Sequence, residues 1–161
     1  MPHRPRIHLQ RLLFCLIAIL GLGSAALAGD EHAPRVPLLP KYQKECAACH
    51  VAYAPGMLPA DSWQRVVNNL PHHYGTDASL DPATVTELSA WLTANAGTWK
   101  RARETPPEAR ITLSAWFIHE HDEVPAATWK RPAVKSASNC AACHTRADQG
   151  EYRERDIRIP R

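Results

Sequence analysis

The string CAACH occurs twice in this chain of 161 residues, at positions 46–50 and again at 140–144. Each copy places two cysteines three residues apart, with a histidine directly after the second cysteine. Cysteines at this spacing lie on one side of a helical turn, about one turn from each other. Two chance copies at this composition would be on the order of a one-in-ten-thousand event, so the repeated unit indicates a specific chemistry.

The pattern C-x-x-C-H is the attachment signature of c-type haem. The two thiols close on the two vinyl groups of the porphyrin, and the histidine reaches the iron. The sequence therefore predicts two covalently bound haem c groups. Their predicted protein ligands are Cys46, Cys49 and His50 for the first haem, and Cys140, Cys143 and His144 for the second. A four-cysteine zinc site or two short-loop disulfides would leave both histidines unexplained, and a thioredoxin-like redox pair needs a βαβ pattern that is missing.

Residues 1–28 have the features of a secretory signal peptide. Three arginines precede an apolar run at 12–22, and Ala26-Leu27-Ala28 predicts cleavage after Ala28. An uncleaved membrane anchor over 12–28 is the alternative, although this stretch is at the short end for spanning a bilayer. Lipoprotein cleavage at Cys15 is disfavoured because Phe14 is too bulky. Export to the periplasm agrees with the haem prediction, since such attachment takes place outside the cytoplasm.

The charge of the exported chain is balanced. Removal of residues 1–28 takes three of the 19 basic residues and none of the 16 acidic ones, which leaves 16 of each. This balance gives no support for nucleic-acid binding. It also argues against strong electrostatic steering of a partner by a surface that carries charge of one sign.

The exported residues predict a mainly α protein with two small haem-binding domains, at 29–99 and 111–161. The segment 100–110 is charged, carries two prolines and lacks apolar periodicity, which predicts a linker. Neither half alone would bury much apolar surface, so a large apolar cofactor in each would help it to fold. Five tryptophans favour core packing individually, and as a group they would also suit the walls of cofactor pockets.

Apolar spacing predicts two helices in the first half. The first follows a cap at Asp61 or Ser62 and ends at Pro71. The second has Asp81 as its N-cap and Pro82 in its first turn. The two buried faces consist of Trp63, Val66, Val67 and Leu70 in the first helix and of Val85, Leu88, Trp91 and Leu92 in the second. 

The second half is predicted to be irregular, with short helices. One is expected over 114–121, and Ser138 or Asn139 could cap another that begins at the second CAACH unit. The indication of strand is slight and is limited to Ile157 and Ile159.

The sixth iron ligands determine whether the haems can bind a substrate. Apart from the two motif histidines and His32 near the new N-terminus, the exported chain has two histidine pairs, His72 with His73 and His119 with His121. The members of each pair point in different directions, so one of each can face a haem. This predicts two bis-histidine haems of low potential, through which only electrons pass. Met57 is disfavoured as a ligand because it follows His50 too closely in the chain.

The sequence resembles the bacterial dihaem cytochromes c from about Cys46 to the C-terminus. The resemblance is carried by CAACHVAYAPGMLPADSW, then HYG and ASLD, then RI and WFIHEHDEV, and finally NCAACH with a closing IRIP. The family more often has leucine at the position of Met57. The resemblance implies a two-domain periplasmic electron carrier whose first domain is similar to class I cytochromes c and whose haems are both bis-histidine.

The same resemblance implies His73 and His121 as the distal ligands, because they match histidines of the family's motifs. Proximity along the chain favours His73 for the haem of His50 and His121 for that of His144, but ligands could cross between the domains. The partners implied are a membrane b-type cytochrome as electron donor and a small ligand-binding monohaem cytochrome c as acceptor.

An electron-transfer protein, and not an enzyme, is the function that the sequence favours. The alternative is a haem enzyme or gas sensor similar to a dihaem peroxidase, in which one iron is open or loses a ligand. The chain is short for such an enzyme, and each half has its own spare histidines. A zinc-bound or disulfide-stapled structural module is the third possibility.

Overall fold

The computed structural model describes residues 36–161, and both the predicted signal peptide 1–28 and His32 lie outside the described residues. The described chain consists of short helices and turns and contains no β-strand. Ile157 makes only an isolated bridge with His144, so the strand suggested near the C-terminus is not formed. The prediction of a mainly α protein is confirmed. Among these residues no helix is long and apolar enough to cross a membrane.

The helical segments are short and are separated by turns. The α-helices of the described part are α1 (Pro40–Cys46), α2 (Ala60–Val67), α3 (Pro82–Ala94), α4 (Ala115–Glu120) and α5 (Ala126–Trp129). Single turns of 3-10 helix lie at Pro55–Met57, Leu70–His72, Lys100–Ala102, Pro107–Ala109, Ile111–Leu113, Cys140–Ala142, Ala147–Gln149 and Glu154–Asp156. Long connections therefore carry much of the second half, as predicted.

Two helix starts agree with the sequence prediction. The Asp81 carboxylate accepts hydrogen bonds from the backbone N–H groups of Ala83 and Thr84 at 3.1 and 3.0 Å, and Pro82 is the first residue of α3. The Ser114 hydroxyl accepts from the Phe117 N–H at 3.3 Å and begins α4. Both side chains satisfy N–H groups that have no partner inside the helix.

The predicted limits of α2 and the predicted cap at the second motif are wrong. Helix α2 begins after Pro59, with no side-chain cap, and ends at Val67. Ser62 does not cap it, because Ser62 lies inside the helix and its buried hydroxyl makes no hydrogen bond within the described residues. At the second CAACH unit, Asn139 precedes only a 3-10 turn, and its side-chain amide donates to the Val134 carbonyl at 3.0 Å.

The main hydrophobic core lies in the first half, where α2 packs against α3. Its buried members are Tyr42, Ala52, Leu58, Trp63, Val67, Leu88 and Leu92. In the second half, the buried apolar residues beyond α4 are few, chiefly Val134 and Ala147. The second half therefore depends less on a hydrophobic core of its own and more on the cofactor that its CAACH unit is predicted to bind.

Replacement of Leu88 by alanine should lower the free energy of unfolding by about 2–5 kcal/mol, because the core refills the resulting cavity only in part. Leu88 is 2% exposed, whereas Leu113 is 40% exposed. Leu113→Ala removes the same atoms and is the matched control, with an expected change within about 0.5 kcal/mol. Urea unfolding of the haem-loaded ferric protein, followed by circular dichroism, measures both. Equal losses would contradict this position of the core.

The turn Pro55–Met57 joins distant parts of the chain. Three indoles donate to its three successive carbonyls: Trp63 to the first at 2.6 Å, Trp99 to the second at 3.0 Å and Trp116 to the third at 3.3 Å. These tryptophans come from α2, from the residue before the predicted linker and from α4. The turn therefore fixes the second half onto the first.

The segment predicted as a linker, 100–110, is folded onto its surroundings. Its alanines at 102 and 109 are only 1% and 2% exposed. Arg101 forms an ion pair with Glu120 of α4 at 2.5 Å. Isolated buried alanines, and not a helical apolar face, anchor this segment, which is why its sequence lacks apolar periodicity.

The described residues all lie within one compact unit. The division into domains at 29–99 and 111–161, and the likeness of the first to class I cytochromes c, remain predictions.

Candidate haem-binding sites

The first CAACH unit begins at the end of α1. Cys46 is the last residue of this helix, and Cys49 and His50 lie in the turn that follows. Cys46 packs against the core, whereas Cys49 is exposed. Burial raises the pKa of the Cys46 thiol to about 11, so it is protonated at neutral pH. One thiol therefore points inwards and the other lies at the surface.

The second CAACH unit forms a 3-10 turn and not an α-helix. The His144 N–H closes the unit by donating to the Cys140 carbonyl at 2.8 Å. The Arg158 N–H donates to the Cys143 carbonyl at 2.8 Å, which ties the C-terminal segment to the motif. Burial raises the pKa of the Cys140 thiol to about 11.

All four motif cysteines are free thiols. This is the form that thioether formation requires, because the S–H bond adds across a vinyl group. Within residues 36–161 the His, Cys, Asp and Glu side chains form no group of three or more that could hold a metal ion by themselves.

The structure brings His50 and His73 together. Their ring centroids are 6.1 Å apart, and the ring planes differ by 20°. His73 is half-buried, whereas His72 is exposed at the end of the turn Leu70–His72. The histidine that lies beside the first motif is therefore the one that the family resemblance implies.

A tight turn positions His73. The Thr76 N–H donates to the His73 carbonyl at 3.1 Å, and the two residues between them, Tyr74 and Gly75, have φ angles of 52° and 96°. Glycine adopts the latter conformation readily because it has no Cβ. The Tyr74 hydroxyl lies 3.1 Å from both carbonyl oxygens of residues 108–109 and anchors the turn to the folded segment 100–110.

The second pair consists of His121 and His144. Their ring centroids are also 6.1 Å apart, but the planes differ by 73°. His121 follows the last residue of α4, and its ring stacks on Phe117 at 4.0 Å and lies 5.8 Å from Trp129. His119 is exposed on α4. In both halves, the more buried member of the histidine pair faces the motif histidine.

Backbone hydrogen bonds fix the tautomer of one histidine at each site. Nδ1 of His50 lies 2.7 Å from the Val51 carbonyl, and Nδ1 of His121 lies 2.8 Å from the Phe117 carbonyl. A carbonyl can only accept, so Nδ1 carries the proton and donates. The lone pair is then on Nε2, which is the atom available to a metal.

Burial favours the neutral form of the remaining two site histidines, His73 and His144. It lowers the pKa of His73, and the neighbouring His50 and the Arg110 guanidinium lower this pKa further. Burial and the neighbouring His121 lower the pKa of His144. Neutral imidazole is the form that binds metals.

The spacing of both pairs fits a shared iron. An imidazole nitrogen binds a metal such as zinc at about 2.0–2.1 Å and lies about 1.1 Å from its own ring centroid, so two imidazoles on opposite sides of one metal have centroids about 6 Å apart. Both observed separations are 6.1 Å. At the second site, His144 Nδ1 and the Tyr152 hydroxyl are buried without a hydrogen-bond partner among the described residues. Such atoms are costly unless a bound group satisfies them.

Two tyrosines at the sites were not singled out by the sequence. The Tyr53 ring lies parallel to that of His50 at 4.8 Å and 18°. Tyr152 contacts His144 edge-on at 5.3 Å and 62°. Tyr53 is only three residues after His50, so its closeness to the motif was a usable signal. Tyr152 is eight residues after His144, and no local pattern marks it.

Two attachment motifs in a small helical chain, each with its histidine 6.1 Å from a second histidine, define a c-type cytochrome with two haems. Comparison with known proteins agrees. Residues 42–152 match the family described as dihaem cytochrome c. No match is found among curated proteins.

Solved structures similar to the chain include a dihaem c-type cytochrome from Shewanella baltica. It is 37% identical, with a TM-score of 0.68, over 78% of this chain and 95% of that one. A structure of dihaem cytochrome c from Rhodobacter sphaeroides is 40% identical, with a TM-score of 0.66, over 74% of this chain and 100% of that one. A second structure from this organism, of DHC purified from the bacterium, is 39% identical with a TM-score of 0.64.

This chain belongs to the dihaem cytochrome c family. Two c-type haems follow from that membership, and the family implies electron transfer. Haem supplies an iron that changes between Fe(III) and Fe(II). Cytochromes of this kind are typically exported to the periplasm.

Proposed function

We propose that the protein carries electrons through two haems that are closed by histidine on both faces. His50 and His73 would bind the first iron, and His144 and His121 the second. The observation that carries this proposal is the pair of matching 6.1 Å separations between the imidazole rings. With both faces occupied by protein ligands, neither iron has a position for a substrate, and only electrons enter or leave.

The ligands also support low reduction potentials. Methionine as an axial ligand raises the potential of a haem. Met57 lies in the turn that Trp116 contacts, where its backbone carbonyl accepts the indole N–H. The potentials are therefore expected in the range of bis-histidine haems.

The location, domain organisation and partners form part of the same proposal. Cleavage after Ala28 would release a periplasmic protein whose halves, 29–99 and 111–161, each carry one haem, the first half being similar to class I cytochromes c. A membrane b-type cytochrome would supply the electrons and a small monohaem cytochrome c would accept them. The resemblance to the family is what supports these partners.

Spectra of the purified ferric and ferrous protein test the ligation. Both ferric haems should be low-spin, and carbon monoxide should bind neither ferrous haem, because each iron already has two strong ligands. Rapid binding of carbon monoxide at one haem would contradict the proposal and favour a haem enzyme or gas sensor.

Electron paramagnetic resonance should separate the two sites. When the two imidazole planes are parallel, they split the two π-type d orbitals of the iron, and the low-spin signal is rhombic. When the planes are perpendicular, the two orbitals stay close in energy, and the low-spin signal is much more anisotropic. The ring planes differ by 20° at the first site and by 73° at the second. The ferric protein should therefore give one ordinary rhombic signal and one strongly anisotropic signal. Two identical signals would contradict the ring orientations.

A further inference from the structure

Tyr53 contacts both haem-binding sites. Its ring lies parallel to that of His50 at 4.8 Å, on the first site. Its hydroxyl donates to the Ser138 carbonyl at 2.7 Å, although these residues are 85 positions apart in the chain. Ser138 comes two residues before Cys140, the first cysteine of the second motif.

The acceptor is shared with the second attachment motif. The Sγ atom of Cys140 lies 3.7 Å from the same Ser138 carbonyl oxygen that accepts from Tyr53. Because a carbonyl oxygen can only accept, the Tyr53 hydroxyl is the donor in this contact. His50, Tyr53, Ser138 and Cys140 therefore form a continuous series of contacts.

The position of Tyr53 is itself fixed. The Tyr42 hydroxyl donates to the Tyr53 carbonyl at 2.9 Å. Tyr42 is 3% exposed and belongs to the main core, and Tyr53 packs against the same core. Tyr53 is thus a rigid connection between the proximal histidine of one haem and the attachment loop of the other.

We propose that Tyr53 is the positioning residue that couples the two haems, holding the second attachment loop against the first site and carrying the route for electron exchange between them. This inference rests on the proposed electron-transfer function. In each exchange one electron leaves the ferrous iron of one site and reduces the ferric iron of the other, with no bond made or broken and Tyr53 unoxidised.

Two variants separate the ring contact of Tyr53 with His50 from its hydrogen bond to Ser138. Tyr53→Phe keeps the ring on His50 and removes the hydroxyl, whereas Tyr53→Leu removes both. Thr86→Val is the control, since it also removes a hydroxyl that donates to a backbone carbonyl, that of Pro82 at 2.9 Å, but on the exposed side of α3 and outside both sites. The measurement is intramolecular electron exchange in the haem-loaded protein after flash reduction. Two haems per chain, both low-spin in the ferric state, show that each variant is intact.

We expect Tyr53→Phe to slow the exchange by about threefold or more, Tyr53→Leu to slow it further, and Thr86→Val to leave it unchanged. The anisotropic signal of the second site should also shift in Tyr53→Phe, while the rhombic signal of the first site stays as in the wild type. Wild-type exchange in both Tyr53 variants would overturn the proposal. So would slowing in Tyr53→Leu alone, or equal slowing in Thr86→Val.

Failure of this inference is distinguishable from failure of the proposed function. If a ferrous haem of the unmodified wild-type protein binds carbon monoxide rapidly, the bis-histidine proposal fails before any variant is made. If the wild type is closed at both irons and the Tyr53 variants exchange electrons normally, only the role of Tyr53 is wrong. Should Tyr53→Leu fail to retain two haems, Tyr53→Phe still decides the question.

Discussion

Alanine in place of His121 should open one of the two haems, and about half of the ferrous haem should then bind carbon monoxide. The His121 ring is 6.1 Å from that of His144, and its immediate neighbours, Phe117 and Trp129, offer no nitrogen that could replace it as a ligand. The ferric spectrum should gain a high-spin component and lose the strongly anisotropic low-spin signal. Carbon monoxide titration and electron paramagnetic resonance measure the two changes.

His119→Ala is the control for this experiment. His119 is two residues away on α4, is exposed, and points about 200° from the direction of a residue at 121 in a helix. Its removal should leave both haems low-spin and closed to carbon monoxide. The assignment fails if His119→Ala opens a haem and His121→Ala does not. At the first site, His73→Ala and His72→Ala form the equivalent comparison, with loss of the rhombic signal expected only for His73→Ala.

Replacement of both cysteines of one motif should remove one covalent haem and should affect the two halves differently. Cys140→Ala with Cys143→Ala is expected to reduce covalent haem from two to one per chain and to leave residues 111–161 open to proteases. The physical reason is that this half has few buried apolar residues of its own, so a large apolar cofactor supplies much of its interior. Absorbance of the pyridine complex measures haem content, and limited proteolysis measures local unfolding.

The matched variant carries Cys46→Ala and Cys49→Ala in the first motif. It should also lose one haem, but α2, α3 and the core between them should remain largely resistant to proteolysis, because their buried side chains pack on one another. Identical cleavage patterns in the two double variants would contradict this difference between the halves. Retention of two covalent haems in either variant would contradict the attachment sites themselves.

Local signals in the sequence predicted some elements well and others poorly. Asp81 caps α3 as expected, and the helix expected over 114–121 begins after Ser114, because a side-chain oxygen next to free N–H groups acts within one turn of the chain. The start of α2 was not predictable in this way, since both candidate caps, Asp61 and Ser62, lie inside the helix that begins after Pro59. The first backbone hydrogen bonds of this helix run from the N–H groups of Ser62 and Trp63 to the Pro59 carbonyl, so its start carries no side-chain signal.

The folded state of 100–110 was missed for a related reason. A charged, proline-bearing segment without periodicity is typical of a linker. Here the segment is ordered by Ala102 and Ala109, which are buried singly, and by the Tyr74 hydroxyl, which donates to its backbone. Single buried alanines leave no recurring pattern in a sequence.

The sequence alone determined the chemistry of the cofactors and their number. Covalent attachment needs two thiols and an imidazole at a fixed local spacing. Two segments of five residues, 46–50 and 140–144, have this spacing. The spacing of the residues left both members of each histidine pair open, and the tertiary structure places beside the motifs the two members that the family resemblance implies. His73 and His121 are brought there by a turn and by the end of a helix, 23 residues from His50 and 23 from His144 along the chain.

The contact of Tyr53 with the second motif was likewise decided only by folding. A hydrogen bond between residues 85 positions apart forms because the core, the three indoles on the turn Pro55–Met57 and the buried segment 100–110 bring the two halves together. Local spacing can specify a bond to a cofactor, whereas the relation between two cofactors depends on packing over the whole chain.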